Sequence, residues 1–334
     1  MIEIHDGGIS STIQDRGRSG NYHIGMPPSG AMDPYAHSVA NFLVGNDADA
    51  ATIEMTYQGI TATFREDAVV AITGADMSPS LDGEPIGMWE TVAVEAGDEL
   101  EVAFATDGAR AYLAVAGGID VPEVMGSRST YTLVGIGGHE GRGLEKGDRL
   151  EIGSTEAEAN EHVDGGDPTA LVGTELPAEY VPDYAAEDTV RIVMGLTDYR
   201  LTDESKETLC DAQWTVSPEA DRTGYRLEGP DIEFEEREQP FGAGTNPSNV
   251  VDLGYPVGSI QVPQKPIVLM QDAVTGGGYA TVGTVISADR GLLAQRQTHK
   301  TVQFEPVDVE AAISARTDRR ERLEEIEAVL SGDS

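Results

Sequence analysis

The sequence is short of the residues that most often announce chemistry. Its 334 positions hold one cysteine, Cys210, which excludes an internal disulfide and any metal site built from several thiolates. That thiol sits between Leu209 and Asp211 with no basic neighbour to activate it, and it reads as packed rather than reactive. Lysine is scarce as well: Lys146, Lys206, Lys265 and Lys300 are the only four, and none lies between methionines, so no covalent biotin is expected on this chain. No run approaches the roughly 18 consecutive apolar residues of a spanning helix. No membrane partner is therefore expected. The opening Met1 to Asp6 has neither the basic nor the apolar region of a secretory signal, and a cytoplasmic location is expected.

Positive charge is the largest deficit. Twenty-two basic residues against 59 acidic ones leave a net charge of −37, which excludes sequence-independent binding to nucleic acid. Acid excess combined with so little lysine resembles the composition of proteins from salt-accumulating, halophilic cells. Concentrated salt would screen the self-repulsion.

The common catalytic motifs are missing too. There is no Gly-x-Ser-x-Gly elbow and no His-Glu-x-x-His pair among the six histidines, so neither a hydrolase triad of the elbow type nor a zinc hydrolase is expected. Gly278 to Thr284 has the glycine spacing of a phosphate loop but lacks its lysine. No metal ligands are recognised.

What is present is a rhythm of short apolar segments broken by Gly, Asp and Pro, the signature of a mainly β protein. Ala68–Thr73, Thr91–Val94, Glu99–Phe104, Ala111–Val115, Val190–Met194, Pro266–Met270 and Ala280–Ile286 are the clearest expected strands. Two strands enter through the same turn, Gly97-Asp98 and Gly147-Asp148, and His299-Lys300 reads as a worn third copy. A helix is expected after Asp33 and Pro34, ending near Gly45, and another from about Asp308 to Leu330, with Leu323, Ile326 and Leu330 on one face and Arg320 paired with Glu324. Length suggests about two domains. The expected boundaries are a first β-barrel domain over 1–155, an acidic, solvated linker over 156–188, a second β-barrel domain over 189–307 and a C-terminal helix and tail over 308–334.

Polar residues gather in glycine-rich turns. Gln14, Asp15, Arg16 and Arg18 follow the first hairpin. Ser127 and Arg128 precede a Gly137 to Arg142 turn, and Asp272 leads into Thr275, Gly277, Gly278 and Tyr279. Guanidinium groups held in such turns can receive a carboxylate or phosphate through two-pronged hydrogen bonds. Pairing with the abundant local acids is the competing reading for each arginine. Asp33 reads as a helix cap only.

Taken in order, these segments resemble the carboxyltransferase-domain family represented by the C component of bacterial 5-oxoprolinase, also called allophanate hydrolase subunit 2. The matching blocks are 12–20, 29–46 with Ser-Gly-Ala-Met-Asp, 73–76, 112–119 with Ala-Val-Ala-Gly-Gly-Ile, 126–131, 137–150, 221–230, 259–262 and 272–295 with Val-Ile-Ser-Ala-Asp. Gly276 stands where the family usually has a second threonine before its Gly-Gly-Tyr, and residues from about 315 extend past the usual end.

The resemblance implies two cyclophilin-like β-barrel domains, a heteromer with the B component of 5-oxoprolinase, and a further A component that completes the activity. The implied activity is ATP-dependent ring opening of 5-oxo-L-proline to L-glutamate, with ATP acting through the complex and a small-molecule substrate. On that basis Asp272, Arg128 and Arg142 are expected as catalytic residues. Gln14, Asp15, Arg16, Arg18, Ser127, Thr275, Gly277, Gly278 and Tyr279 are expected to bind substrate. The resemblance also extends to the carboxyltransferase portion of urea carboxylase and urea amidolyase systems, which use biotin, and to non-catalytic partners of a kinase inhibitor.

Overall fold

The computed structural model describes residues 1–154 and 167–331. Residues 155–166, which include the first part of the expected acidic linker, and the last three residues lie outside the described residues. The chain forms two compact units: residues 1–18, 29–185 and 320–334 make the first, and 19–28 with 186–319 make the second.

The first unit holds two antiparallel sheets that share one core. Its five-stranded sheet runs, in spatial order, Ser10–Gln14, Thr52–Thr56, Asp107–Val115, Ala68–Asp76 and Thr91–Val94. The seven-stranded sheet places Ile2–Asp6 between Arg149–Ile152 and Thr61–Phe64. Alternation along these strands sends Ile2, Ile4, Ile53, Phe64, Ile72 and Leu113 inward, where all are essentially solvent-free. Register follows from that alternation, because a one-residue slip would expose each of these side chains.

The second unit closes as a seven-stranded barrel in the order Thr189–Met194, Thr281–Val285, Ser259–Gln261, Ile267–Leu269, Gly224–Glu228, Trp214–Val216 and Thr301–Pro306. Parallel pairing of its first and last strands makes the closure. Closure leaves no free edge among those seven. Beside the barrel, Asn249–Gly254 pairs with Gly276–Tyr279 as a two-stranded ribbon.

The repeated turn is the same device three times. Gly97 and Gly147 adopt φ of 111° and 98°, and Asp98 and Asp148 each accept the N–H three residues back, from Glu95 and Glu145, at 2.8 Å. In the worn copy His299 takes the positive φ, at 68°, and Lys300 N–H still donates to Gln297 O at 3.1 Å. The backbone turn has outlasted the residues that favour it.

Four α-helices accompany the strands among the described residues: α1 (Pro34–Leu43), α2 (Asp203–Asp211), α3 (Arg290–Gln295) and α4 (Val309–Ser331). Asp33 caps α1, its Oδ1 accepting from Tyr35 N and Ala36 N at 3.1 and 3.3 Å. It is more than a cap, because Oδ2 also accepts the Tyr184 hydroxyl at 2.8 Å. In α4, Ile326 is buried, Leu323 and Leu330 are partly buried, and Arg320 pairs with Glu324 at 3.4 Å.

Residues 167–185 depart from the expected solvated linker. Leu176 and Tyr184 are buried, and the strip docks along the first unit through Thr91 N–H to Thr174 O and Leu176 N–H to Trp89 O, both 2.9 Å. Short 3-10 turns supply its structure, and these carry no periodicity that a sequence pattern can reveal. The excursion of 19–28 into the second unit is a further departure from the expected single boundary.

Candidate functional site

Asp15 organises the polar centre of the first unit. The strand Ser10–Gln14 delivers it to the end of the five-stranded sheet, where it is buried. Its Oδ1 accepts the hydroxyls of Ser127 and Ser129 at 2.7 and 2.5 Å and Gly17 N–H at 2.7 Å, and its Oδ2 accepts Arg128 N–H at 2.5 Å. Burial pushes this carboxyl up, but the donors from Ser129, Ser127, Arg128 and Gly17 outweigh it and hold the acid below its ordinary value. Asp15 is thus an anion that fixes a loop, not a base waiting for a proton.

The loop it fixes carries Arg128 to the wall of a 470 Å³ cleft also lined by Asp15, Asn46, Gly117, Gly118 and Gly126. The Arg128 Nε–H donates to Val121 O at 3.1 Å and Nη1 pairs with Glu123 at 2.9 Å, with the side chain more than a third exposed. Asp47, Asp49 and Asp120 complete the rim, so Arg128 is the one cation among the described residues of an acidic cleft. Such a lining suits a ligand that offers N–H donors to carboxylates and one carboxylate to the arginine. No group of three or more His, Cys, Asp or Glu that could hold a metal occurs among the described residues.

The other expected residues of this unit sit around the same loop. Gln14 is buried, its Nε2 donating to Thr12 Oγ1 at 2.9 Å and Thr130 O at 3.2 Å. Arg18 is almost fully buried and donates to Val124 O at 3.4 Å and to Ser129 O, which makes it a strut beneath the loop. Arg16 is exposed, with no side-chain hydrogen bond or ion pair among the described residues. Gly137, at φ 70°, packs where a Cβ would strike Ser129 O, so the next glycine turn lies directly on the Asp15 loop.

Arg142 closes that turn with its fork filled: Nη1 and Nη2 reach the two Asp148 oxygens at 2.7 and 2.8 Å, and Nη2 also reaches Glu140 at 3.0 Å. The Arg142 guanidinium holds the Asp148 carboxyl down to about 2, and Asp148 in turn raises Arg142 above its ordinary value. Pairing with local acids is the reading this arginine takes.

In the second unit Asp272 is buried and accepts Arg222 Nε–H at 2.8 Å and Nη2–H at 3.3 Å. Gly277, Gly278 and Tyr279 form a strand of the ribbon rather than a loop, and Thr275 O accepts Tyr255 N–H at 2.9 Å. Tyr255 spans the ribbon, with its hydroxyl donating to Tyr279 O at 3.0 Å and accepting Tyr279 N–H at 2.6 Å. The glycine-spaced Gly278 to Thr284 stretch is likewise strand, which removes the cradle a phosphate loop requires.

Sequence reasoning missed Ser129 and the cleft's Asn46. Asn46 donates through Nδ2 to Asn41 Oδ1 at 3.0 Å and Val115 O at 2.8 Å, while its Oδ1 accepts Gly117 N–H at 2.8 Å. Its place right after the helix-ending Gly45 was the available signal.

A model of the carboxyltransferase domain, subdomains A and B, matches residues 24–306. The chain is 36% identical over 328 residues to the C component of 5-oxoprolinase from Escherichia coli, covering 98% of this chain and 97% of that protein. It is 33% identical to the Haemophilus influenzae protein of the same name, with 99% of each covered. Among solved structures, the Kluyveromyces lactis urea amidolyase superimposes with a TM-score of 0.89 at 30% identity, over 97% of this chain but only 20% of that one. The chain belongs to the carboxyltransferase-domain family of subdomains A and B.

Proposed function

We propose that this chain is the C component of a 5-oxoprolinase, a multi-subunit hydrolase that opens 5-oxo-L-proline to L-glutamate at the expense of ATP, with partners of the A and B types. The observation that carries this reading is coverage: the similarity to the C component of 5-oxoprolinase runs end to end in both proteins. Phosphoryl transfer to the lactam oxygen, with ADP leaving, makes the ring carbon electrophilic. Water then adds there, the C–N bond breaks with the nitrogen gaining a proton, and phosphate departs. In this scheme Arg128 receives the substrate carboxylate, and the cleft acids accept the lactam N–H. Asp15, Ser127, Gln14 and Arg18 position Arg128, while Arg142 and Asp272 keep their turns in place through Asp148 and Arg222. Nucleotide binding is left to the complex, since the one phosphate-loop-like stretch of this chain is strand.

The test is reconstitution. The chain alone should give no glutamate from 5-oxoproline and ATP, and the chain with its co-purifying partners should. Turnover by the purified chain alone would move the chemistry into it. A second reading, the carboxyltransferase part of a urea carboxylase system, is favoured by the 0.89 TM-score to urea amidolyase. It requires a biotinylated polypeptide among the co-purifying proteins and urea-dependent consumption of carboxybiotin. Tight binding to partners without turnover of either substrate would favour a regulatory role.

A further inference from the structure

Acids are many here, and at least eight of the 18 guanidinium groups have found a carboxylate among the described residues. Arg290, the first residue of α3, has not. Its Nε is buried without a hydrogen-bond partner, and no ion pair involves it among the described residues. The adjacent acid, Asp289, is already committed to Arg191, accepting its backbone N–H at 2.9 Å, its Nε–H at 2.8 Å and its Nη2–H at 2.7 Å. Gly258, at φ 92°, lies so close that a Cβ there would stand 3.2 Å from Arg290 Nε, leaving no room for a side chain that could answer the charge. Burial weakens the hold of Arg290 on its proton, and Tyr22, 40% exposed, acts weakly in the other direction.

An Nε–H held in the interior with no acceptor, in a chain of net charge −37, is a costly arrangement, since a buried donor without a partner is unfavourable. A neutral side chain would fill the place without that cost. We infer that Arg290 is a receptor for a small oxyanion, a carboxylate or a phosphate. This site lies wholly in the second unit and is independent of the role proposed for Arg128.

The experiment follows the Arg290 Nε–H resonance in the intact chain while sodium acetate or sodium phosphate replaces chloride at constant ionic strength. Saturable shifts are expected with at least one of the two anions, and the one that saturates at lower concentration identifies the class. Arg290→Lys keeps the charge but not the planar fork, and its anion-dependent rise in melting temperature should need about tenfold more anion or worse. Arg290→Met should abolish the anion-dependent rise in melting temperature, and in chloride alone it should melt no lower than the parent chain because it removes a buried donor that has no acceptor. Absence of a shift with both anions overturns the inference. So does an equal anion-dependent rise in melting temperature in the parent and Arg290→Met chains, and so does a large loss of stability in Arg290→Met, which would make Arg290 a structural residue.

Discussion

Asp15 and Ser127 lie 112 positions apart in the chain, yet the serine hydroxyl donates to the aspartate Oδ1 at 2.7 Å. That contact ties the end of the first hairpin to the loop that carries Arg128, and Ser129 and the Arg128 N–H add two more bonds to the same carboxylate. Asp15→Asn removes the charge that all of them share. It should cost about 2–3 kcal/mol, measured by denaturant unfolding at high salt, with Ser127→Ala costing less. Equal stability of Asp15→Asn and the parent chain would show that the loop is held by other means.

Arg128→Lys in the reconstituted complex should lower kcat/KM by about ten- to a hundredfold, because an ammonium cannot reproduce the fork that receives a carboxylate. Its melting temperature should stay close to that of the parent, since the Arg128 side chain is partly exposed. Near-normal kinetics in a folded variant would remove Arg128 from the site. Arg142→Lys should behave in the opposite way, losing stability through the Asp148 contact with little kinetic effect.

Acid should reveal the Arg142–Asp148 pair. The Asp148 carboxyl is held at about 2 in the fold, below its ordinary value of 3.8. Its contribution is therefore complete above about pH 4 and is lost as pH falls through the interval toward 2. Asp148→Asn should lower stability at neutral pH by about 1–2 kcal/mol, allowing for the solvent that reaches Arg142, and should flatten the acid limb of a plot of melting temperature against pH. Parallel acid limbs for both chains would sink this assignment.

Salt should stabilise the whole molecule. With a net charge of −37, raising KCl from about 0.1 to about 2 M shortens the screening length from about 10 Å to below about 3 Å and relieves self-repulsion. The melting temperature is expected to rise across that range. A flat or falling midpoint would argue against a salt-adapted protein.

The parts of this molecule legible in its sequence are those governed by local rules. Asp33 and Pro34 announce α1 because a cap and a preset φ act within one turn, and Thr91–Val94 is read to the residue because alternation is local as well. The Gly-Asp turns are legible for the same reason. The helix α2 has a local cap, Thr202 accepting Ser205 N–H at 3.1 Å, but no apolar periodicity to extend it, because only Ser205 and Leu209 of its nine residues are buried. The turns that carry the candidate site can be picked out as glycine-rich segments holding Arg and Asp. Which arginine is spent on a neighbour cannot, because Arg142 and Arg128 look alike until Asp148 and Glu123 are placed beside them.

The assignment of residues 320–334 to the first unit sets an order on synthesis. That unit begins with Met1 and takes in residues through 185, but Ile326, which is fully buried, leaves the ribosome only after the barrel strands have all been made. The 19–28 segment waits as well, since the rest of its unit starts at residue 186. The nascent first unit must therefore hold its sheets together with part of its surface unfilled while the second is being translated. Loss of the final turns of α4 would thus weaken the part of the protein made first, and a stop codon near residue 319 should be felt in the packing around α1 rather than in the barrel.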